Sequence, residues 1–507
     1  MNKADGEKVQ APFKGPKIFR QMLSRLAEED NNEINRELPF AALLFTILAA
    51  SGVTLYESWK KLCSIDHLPR FQKEAKEVVR QVEVLGYDPL TVMQKRAEKM
   101  NSKNYREFLL GYVSAVRSGG NIVNYLKSKL RSIFEVQSAD SIRSIERLGT
   151  LVEAYAVMLI VTLCFYILFI VFSSTSVMEP MKVNNAPSIP TPLVAVLLFV
   201  VTPLISVIFM VIAHRERKSN LVGMKKPYQI AAISLIAVCV FLALLFLVPQ
   251  LQYLASPQVF PLIVTICLLI ISTPAAVIYI EAARINYAAE SAMPNFLRDV
   301  TEARKTGLSP ERSIVHAAQR SGYGKFSEVL QLIRSQIEWG VPLRKIFASV
   351  KRKIQTWPVL VNFLILMETI KMGGGSTVAL EILTEYSEKQ KDVETNKKSM
   401  LRPYVILAFI WSVLIALTTT MVALTVYTLT QISLPGSTPI PLGALQEQMN
   451  LFAVGILVQC WLSGFFVGKV NEGTFAAGFK YSVMLVLTAH ISLTLSQSLL
   501  GGMFGIA

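Results

Sequence analysis

The chain has 507 residues, 52% of them hydrophobic, with a mean hydropathy of +0.43 and a formal net charge of +15 at pH 7. This composition is too apolar for an ordinary soluble protein, and it is typical of a membrane protein that crosses the bilayer several times and carries soluble parts. The five cysteines form no C-x-x-C pair, so we expect neither a disulfide framework nor a zinc site.

The N-terminal segment, residues 1–37, mixes acidic and basic side chains and has no apolar core or small-residue cleavage site. It is therefore not a signal peptide, and we expect it to stay in the cytoplasm. Residues 38–53 (LPFAALLFTILAASGV) are apolar, but the stretch is shorter than a membrane span and charge precedes it closely. We predict that it forms a buried helix of a soluble bundle.

A pattern in the first 120 residues recurs 255 residues later. Pro39, Gly52, Phe71, Phe108 and Gly119 are matched by Pro294, Gly307, Phe326, Phe363 and Gly374. The counterpart of 38–53, residues 293–308, carries five charged side chains that a span would not tolerate. Apolar residues recur at helical spacing in both copies. We predict two helical domains, residues 38–150 and 281–403, each large enough for five to six short helices.

Two local signals mark helix ends in these domains. Asp88 before Pro89 and Ser309 before Pro310 are typical helix N-caps. Gly119-Gly120 and Gly374-Gly375 interrupt apolar helices at matching positions, which predicts a tight helix–turn–helix corner because glycine adopts positive φ without strain. This corner is either a hairpin inside each bundle or a docking site for a partner.

Seven apolar segments are long enough to cross about 30 Å of hydrocarbon. They are residues 151–173, 191–213, 228–248, 258–280, 404–428, 450–468 and 481–503. Four of them fall in the region 151–280, which contains the basic loop 214–227, and three fall in the region 404–507. We therefore predict an all-α, polytopic helical membrane protein with two bundle domains.

The distribution of charge predicts the orientation. Loop 214–227 carries five Lys and Arg residues against Glu216, whereas loop 249–257 carries no charge and loop 429–449 carries only Glu447. Because positive loops stay inside, we expect the N-terminus and both helical domains to be cytoplasmic and the C-terminus to be extracytoplasmic.

Sites for catalysis are not evident. No phosphate-binding loop is present, since Gly373-Gly374-Gly375-Ser376-Thr377 lacks the lysine that such a loop needs, and the four histidines are scattered without carboxylate or cysteine partners at ligand spacing. We expect no enzymatic activity, no cofactor and no metal.

The spans contain few ionisable groups, and we expect the polar His490 and Gln459 to join helices by hydrogen bonds. Gly464 and Gly468 form a G-x-x-x-G motif that predicts close helix packing, within the bundle or between subunits.

These features together resemble the protein F family of type II secretion systems and type IV pili, whose members carry paired cytoplasmic six-helix bundles. Ser51-Gly52-Val53-Thr54 and Thr306-Gly307-Leu308-Ser309 match the opening of each family bundle, and Ser118-Gly119 and Gly373-Gly374 match its corner. The resemblance covers residues 36–150 and 290–500.

The chain departs from the bacterial members in two ways. Val116 and Lys371 replace the acidic residue of the bacterial corner, so no metal contact is expected there. Four spans between the domains and seven overall, where bacterial members have three, are similar to archaeal members, the platforms of the archaellum or of adhesive pili.

The resemblance implies a platform in the cytoplasmic membrane that couples a hexameric secretion ATPase to the insertion of pilin or archaellin subunits into a filament. On this expectation the basic residues are candidate ATPase contacts: Arg215, Arg217, Lys218, Lys225, Lys226, Lys351, Arg352 and Lys353. The lipid membrane is the other expected partner, no nucleic acid is expected, and the platform is either a monomer or a homodimer. Archaellum, adhesive pilus and secretion system all stay open.

Two alternatives compete with this interpretation. One is a permease or channel that the duplicated cytoplasmic domains regulate, and the scarcity of ionisable groups in the spans argues against it. The other is a membrane receptor or scaffold without a filament, which the composition also allows.

Overall fold

The structure is a computed structural model that describes residues 17–65, 67–176, 196–217, 224–247, 259–371, 376–431 and 442–503. The described residues form sixteen α-helices and no β-strand, which confirms the all-α prediction. The chain divides into two compact units, one of residues 1–137, 300–313 and 363–385 and the other of residues 138–299, 314–362 and 386–507.

Six helices build the first predicted domain. They are α1 (Lys17–Ala50), α2 (Leu55–Leu62), α3 (Pro69–Glu83), α4 (Pro89–Lys99), α5 (Lys103–Arg117) and the first part of α6 (Ile122–Ser176). Helix α1 begins inside the predicted N-terminal segment 1–37 and continues without interruption through residues 38–50. Residues 38–48 are buried, so the apolar stretch packs inside the bundle as the charge pattern predicts.

Aromatic side chains form the centre of this domain. Phe45 of α1 lies 5.0 Å from Trp59 and 5.8 Å from Phe108, measured between ring centroids. Phe71 of α3 meets Trp59 at 6.4 Å and Tyr105 edge-on at 5.7 Å. All five side chains are fully buried. Their burial joins α1, α2, α3 and α5, because each large ring removed from water contributes about 2–3 kcal/mol.

The second predicted domain repeats this order of helices along the chain. It consists of the last part of α9 (Phe260–Lys305), α10 (Pro310–Gln319), α11 (Ser327–Glu338), α12 (Leu343–Lys353), α13 (Trp357–Lys371) and the first part of α14 (Thr377–Gln431). Helices α4 and α12 both have 11 residues, and α5 and α13 both have 15. Both predicted N-caps form: Asp88 Oδ2 accepts from the Thr91 N–H at 2.9 Å and Ser309 Oγ from the Arg312 N–H at 3.4 Å.

The described residues contain seven helical segments that are long and apolar enough to cross a membrane, and they correspond one to one with the predicted spans. They lie in α6, α7 (Thr202–Glu216, entered through a π-helical turn at Leu197–Val201), α8 (Lys226–Leu247), α9, α14, α15 (Leu442–Glu472) and α16 (Phe475–Met503). The apolar segment of α15 is 67% buried, against 22% for the apolar segments of α7 and α8. Helix α15 is thus the central helix of the membrane part, and α16 packs along it.

Candidate functional site

The opening of each helical domain has the same backbone geometry. Gly52 and Gly307 follow the first helix of their domains with φ of +81° and +91°. In both copies the glycine N–H donates to the carbonyl three residues back, and the next N–H donates to the carbonyl five residues back. These two hydrogen bonds form a Schellman C-cap. The motif requires a residue in the left-handed conformation, which glycine adopts at the least energetic cost. The paired glycines therefore set the direction in which α2 and α10 leave the first helix.

The first predicted corner closes in the same way. Gly119 has φ +68°, its N–H donates to the Val116 carbonyl, and the Gly120 N–H donates to the Ala115 carbonyl at 3.0 Å. The chain turns from α5 into α6 within four residues. Its counterpart, Gly374 and Gly375, lies outside the described residues.

Most of the predicted ATPase contacts are exposed side chains. Arg215 lies in the last turn of α7, Lys226 is the first residue of α8, and Lys225 immediately precedes it. Lys351, Arg352 and Lys353 form the last turn of α12, a helix with no acidic residue, and all three are exposed. Lys218 lies outside the described residues. By their position in the chain these side chains fall into two basic patches, one at the consecutive ends of α7 and α8 and one at the end of α12.

Arg217 differs from the other predicted contacts because its side chain is hydrogen-bonded to another part of the same chain. The guanidinium donates to the Val470 carbonyl, and a Cβ on Gly473 would lie 3.2 Å from its Nε atom. Burial lowers the pKa of Arg217, yet an arginine stays charged at neutral pH because its ordinary pKa is so high. Lys469 Nζ donates to the Gly473 carbonyl at 2.7 Å. Arg217 and Lys469 thus hold the turn between α15 and α16.

The G-x-x-x-G motif lies in the contact between these two helices. A Cβ added to Gly464 would stand 2.4 Å from the backbone of Ser482, and one added to Gly468 would stand 2.3 Å from the Gly478 nitrogen. Such distances leave no room for a side chain, so the glycines allow the backbones of α15 and α16 to touch. The motif is used for packing within one chain.

A buried carboxylate joins three helices next to this contact. Glu472, at the end of α15, accepts hydrogen bonds from the hydroxyls of Tyr287 at 2.8 Å and Tyr481 at 2.9 Å, and from the hydroxyl of Tyr279. Lys480 Nζ lies 3.0 Å from the same carboxylate. The Glu472 side chain is only 7% exposed. Four donors satisfy its oxygens and compensate its charge, which would otherwise be costly to bury.

The amino-acid sequence does not predict this network. Its members come from α9, α15 and α16, and no spacing along the chain indicates that they meet. One signal was present: two tyrosines, Tyr279 and Tyr287, stand two helical turns apart on one face where α9 leaves its apolar segment. A buried partner for both hydroxyls is what such a pair requires.

Polar side chains inside the spans join helices, as predicted for Gln459 and His490. Gln459 Nε2 donates to Ser206 Oγ at 2.9 Å, linking α15 to α7, and Tyr155 of α6 lies 2.8 Å from Ser463 Oγ. His490 Nδ1 lies 3.1 Å from the Thr265 hydroxyl, linking α16 to α9. Among the described residues, no group of three or more His, Cys, Asp or Glu side chains is placed to hold a metal ion.

Two continuous helices connect the domains to the membrane part. Helices α6 and α14 each have 55 residues, begin at equivalent positions after the corner of their domain, and run from the bundle through a predicted span without a break. At 1.5 Å per residue, each is roughly 80 Å long. Helix α9 enters the second domain in the same continuous way.

The family model for protein F of the type II secretion system matches residues 40–170 and 296–423, together about half of the chain. The chain belongs to the type II secretion system protein F family. Each match begins in the first helix of a domain and ends in the long helix that leaves it. An uncharacterised protein of Methanocaldococcus jannaschii is 22% identical over 496 residues, covering 92% of this chain and 80% of the relative. No solved structure matches.

Membership of the protein F family makes the chain a multi-pass membrane platform protein of a secretion or pilus-type machine. One departure from the bacterial corner has a visible consequence. Lys371, at the position of the acidic residue, pairs with Glu368 at 2.7 Å on the same helix face. The last turn of α13, which leads into the predicted second corner, therefore carries a locally neutralised ion pair.

Proposed function

We propose that the protein is the platform of an archaeal type IV pilus-like machine, such as an archaellum, an adhesive pilus or a secretion system. Both helical domains face the cytoplasm, where a hexameric secretion ATPase acts on them, and the spans guide pilin subunits into the filament. The similarity to a Methanocaldococcus jannaschii protein over almost the whole chain, and the seven spans, support the archaeal assignment.

The continuity of α6 and α14 is the observation that carries this proposal. A movement imposed on a bundle by an ATPase must reach the membrane without being absorbed by a flexible linker. Each 55-residue helix supplies such a connection, because no loop separates the bundle from the span; Pro403, which has no N–H to donate, lies within α14 just before the span without ending the helix. The domains would thus receive mechanical work that the chain itself, lacking a phosphate-binding loop, does not generate.

The exposed basic patches provide the ATPase contact. Arg215, Lys225 and Lys226 lie on the side of the membrane to which the positive-inside rule assigns the domains. Their charge favours an acidic surface on the ATPase and speeds its association. Arg217 contributes to this surface indirectly, because its side chain supports the α15–α16 turn.

The pilin contact uses the outward faces of the spans. Helix α6 exposes Val157 and Leu168, and α7 exposes Leu204 and Val211, all more than 45% accessible. Such faces contact lipid when alone, and they offer an apolar surface along which the N-terminal helix of a pilin can pack.

Co-purification tests the ATPase contact. The full-length protein is co-expressed with the secretion ATPase of its own genome, and the ATPase retained on the tagged platform is measured. Reversing Arg215, Lys225 and Lys226 to Glu reduces the retained ATPase at least about tenfold, because each reversed charge replaces attraction by repulsion. A matched control reverses Lys73 and Lys76, two exposed lysines of α3, and retains the ATPase. Equal retention by the triple variant and the wild-type chain would overturn the proposed contact.

Photocrosslinking tests the pilin contact. A crosslinking amino acid is placed at Val157 or Leu204 on the outer faces, and at Ile456 inside α15 as the buried control. The proposal requires pilin adducts from the outer positions and none from Ile456. Complete absence of pilin adducts, in cells that assemble filaments, would contradict it.

A further inference from the structure

A cleft of about 360 Å³ opens beside the Glu472 network. It is lined by Tyr287, Lys398, Arg402, Val405, Asn471, Glu472 and Tyr481. These residues come from α9, α14, α15 and α16, and each lies at or within a few residues of the same-side end of an apolar segment. The cleft therefore sits at one surface of the membrane, and its volume is within the range of small-molecule sites.

The charges in the cleft favour an anion. Arg402 makes no ion pair with any described residue. Lys398 lies 3.3 Å from Glu290 and 4.1 Å from the centre of the Tyr287 ring, which holds its ammonium at the cleft wall. The carboxylate of Glu472 already accepts four hydrogen bonds. The carboxylate that faces the cleft is thus compensated, and a guanidinium is left available for a phosphate.

The helix face below these cations is apolar. Lys398, Arg402, Ile406 and Ile410 follow one another at intervals of four residues, so they lie along one side of α14. Ile406 and Ile410 are 55% and 56% exposed. Val405 lines the membrane side of the cleft and packs on the apolar cluster that contains Tyr481. A ligand held here meets cations at its head and apolar surface along its tail.

We propose that this cleft binds the phosphate headgroup of an anionic membrane lipid. Lys398 and Arg402 hold the phosphate, the rings of Tyr287 and Tyr481 flank it, and one hydrocarbon chain lies along Ile406 and Ile410. A basic pocket between helices at the membrane surface is a general form of lipid headgroup site. The site does not depend on the identity of the filament or of the ATPase. Its lipid would fill the gap between α9 and α14 and hold the second domain's two connecting helices at a fixed spacing.

Native mass spectrometry of the full-length protein in detergent tests the site. Phosphatidylglycerol is titrated, with phosphatidylcholine as the zwitterionic comparison, and the first bound lipid is counted. The double variant Lys398→Ala/Arg402→Ala weakens the first phosphatidylglycerol roughly tenfold or more, since two cations at the membrane surface are lost. The matched control, Arg344→Ala/Lys345→Ala, removes two exposed charges from α12 and binds as the wild type does.

Two further measurements separate the site from general charge and from folding. Val405→Trp fills the cleft and keeps every charge, and it should also weaken the binding of the first phosphatidylglycerol. Arg402→Lys keeps the positive charge and should retain most of the binding. Circular dichroism and gel filtration identify any variant that does not fold. Unchanged lipid binding by both the double variant and Val405→Trp would overturn the site. Competition by glycerol 3-phosphate at the same concentration as phosphatidylglycerol would show a soluble phosphate ligand and would overturn the assignment to lipid.

Discussion

Gly468 of α15 faces the backbone of Gly478 of α16 so closely that a Cβ at position 468 would lie 2.3 Å from the Gly478 nitrogen. The atoms that would collide are backbone atoms, which cannot move aside without separating the helices. The contact lies one turn before Glu472, so the glycine pair and the carboxylate network depend on the same helix spacing.

The first prediction concerns this contact. Gly468→Leu forces α15 and α16 apart and lowers the free energy of unfolding by about 1–3 kcal/mol or more. Thermal denaturation of the purified protein in detergent measures the loss. Thr494→Leu adds similar bulk to an exposed position of α16 and serves as the control. A Gly468→Leu protein as stable as the control would show that the two helices do not touch here.

The second prediction concerns the paired openings. Gly52→Ala and Gly307→Ala each lower the free energy of unfolding by roughly 1–2 kcal/mol, because alanine is strained at positive φ. The loss is expected even though space for a Cβ is available at both positions. Substitution by Asn, which tolerates the left-handed conformation better than alanine, lowers the free energy of unfolding less at either position. Gly120→Ala is the matched control, since Gly120 is not among the glycines with positive φ. Denaturation midpoints of the full chain measure all of these changes, and a loss at only one of the two openings would mean that the repeat is not equivalent.

The third prediction separates two neighbouring arginines. Arg217→Ala leaves the Val470 carbonyl without this hydrogen-bond donor and loosens the α15–α16 turn. We expect it to lower the free energy of unfolding by about 1–3 kcal/mol. Arg215→Ala removes an exposed side chain and changes stability by about 0.5 kcal/mol or less. ATPase retention should show the opposite order. Provided that the Arg217→Ala protein still folds, Arg215→Ala should reduce the amount of retained ATPase more than Arg217→Ala does. Equal stability of the two variants would contradict the placement of Arg217.

The fourth prediction concerns pH. Glu37 of α1 accepts hydrogen bonds from the N–H groups of Arg70 and Phe71 and so caps α3, which has no cap of its own. Burial, opposed by these two hydrogen bonds, raises the pKa of Glu37 above 4.5. Between pH 4.5 and the raised pKa the folded state holds more protons than the unfolded state. The contribution of Glu37 to stability is therefore fully present below pH 4.5 and is lost as pH rises through the folded pKa.

The comparison of wild type with Glu37→Gln isolates this effect. Glutamine does not titrate, so the difference in melting temperature between the two proteins should shift in favour of the wild type as pH is lowered from 7 towards 5. Glu98→Gln, on the exposed face of α4, is the control and should show no such trend. A difference that grows with rising pH would mean that the pKa of Glu37 is lowered rather than raised.

Much of the fold followed from periodicity and spacing. The seven spans and the N-caps Asp88 and Ser309 rest on local patterns, which survive folding because they depend on neighbours along the chain. The burial of residues 38–48 was predictable from the short length of the apolar stretch and the charge that precedes it, and the repeat strengthened the prediction, since the charged counterpart 293–308 excluded a span. Composition alone would have left that stretch ambiguous.

The candidate site was less predictable for a physical reason. Glu472, Tyr279 and Tyr287 meet across 185 residues or more of chain, and no local pattern records such contacts. Arg215 and Arg217 look alike in sequence, and only packing makes one an exposed cation and the other a support for a turn. The position of a charge on a loop predicts the side of the membrane but not the partner of the side chain.

The 255-residue period extends beyond the two helical domains. Helix α6 is offset by this amount from α14, α7 from the second half of α15, and α8 from α16, so each half of the chain contains one bundle followed by three spans. After three spans the chain is on the opposite side of the membrane from where it started. Two such halves joined directly would therefore place their bundles on opposite sides of the membrane. The apolar start of α9, whose counterpart near the N-terminus is polar, adds a fourth crossing before the second bundle. An even number of spans between the two bundles, four in this chain, is thus what a tandem duplication of this unit needs to keep both copies on the same side of a membrane.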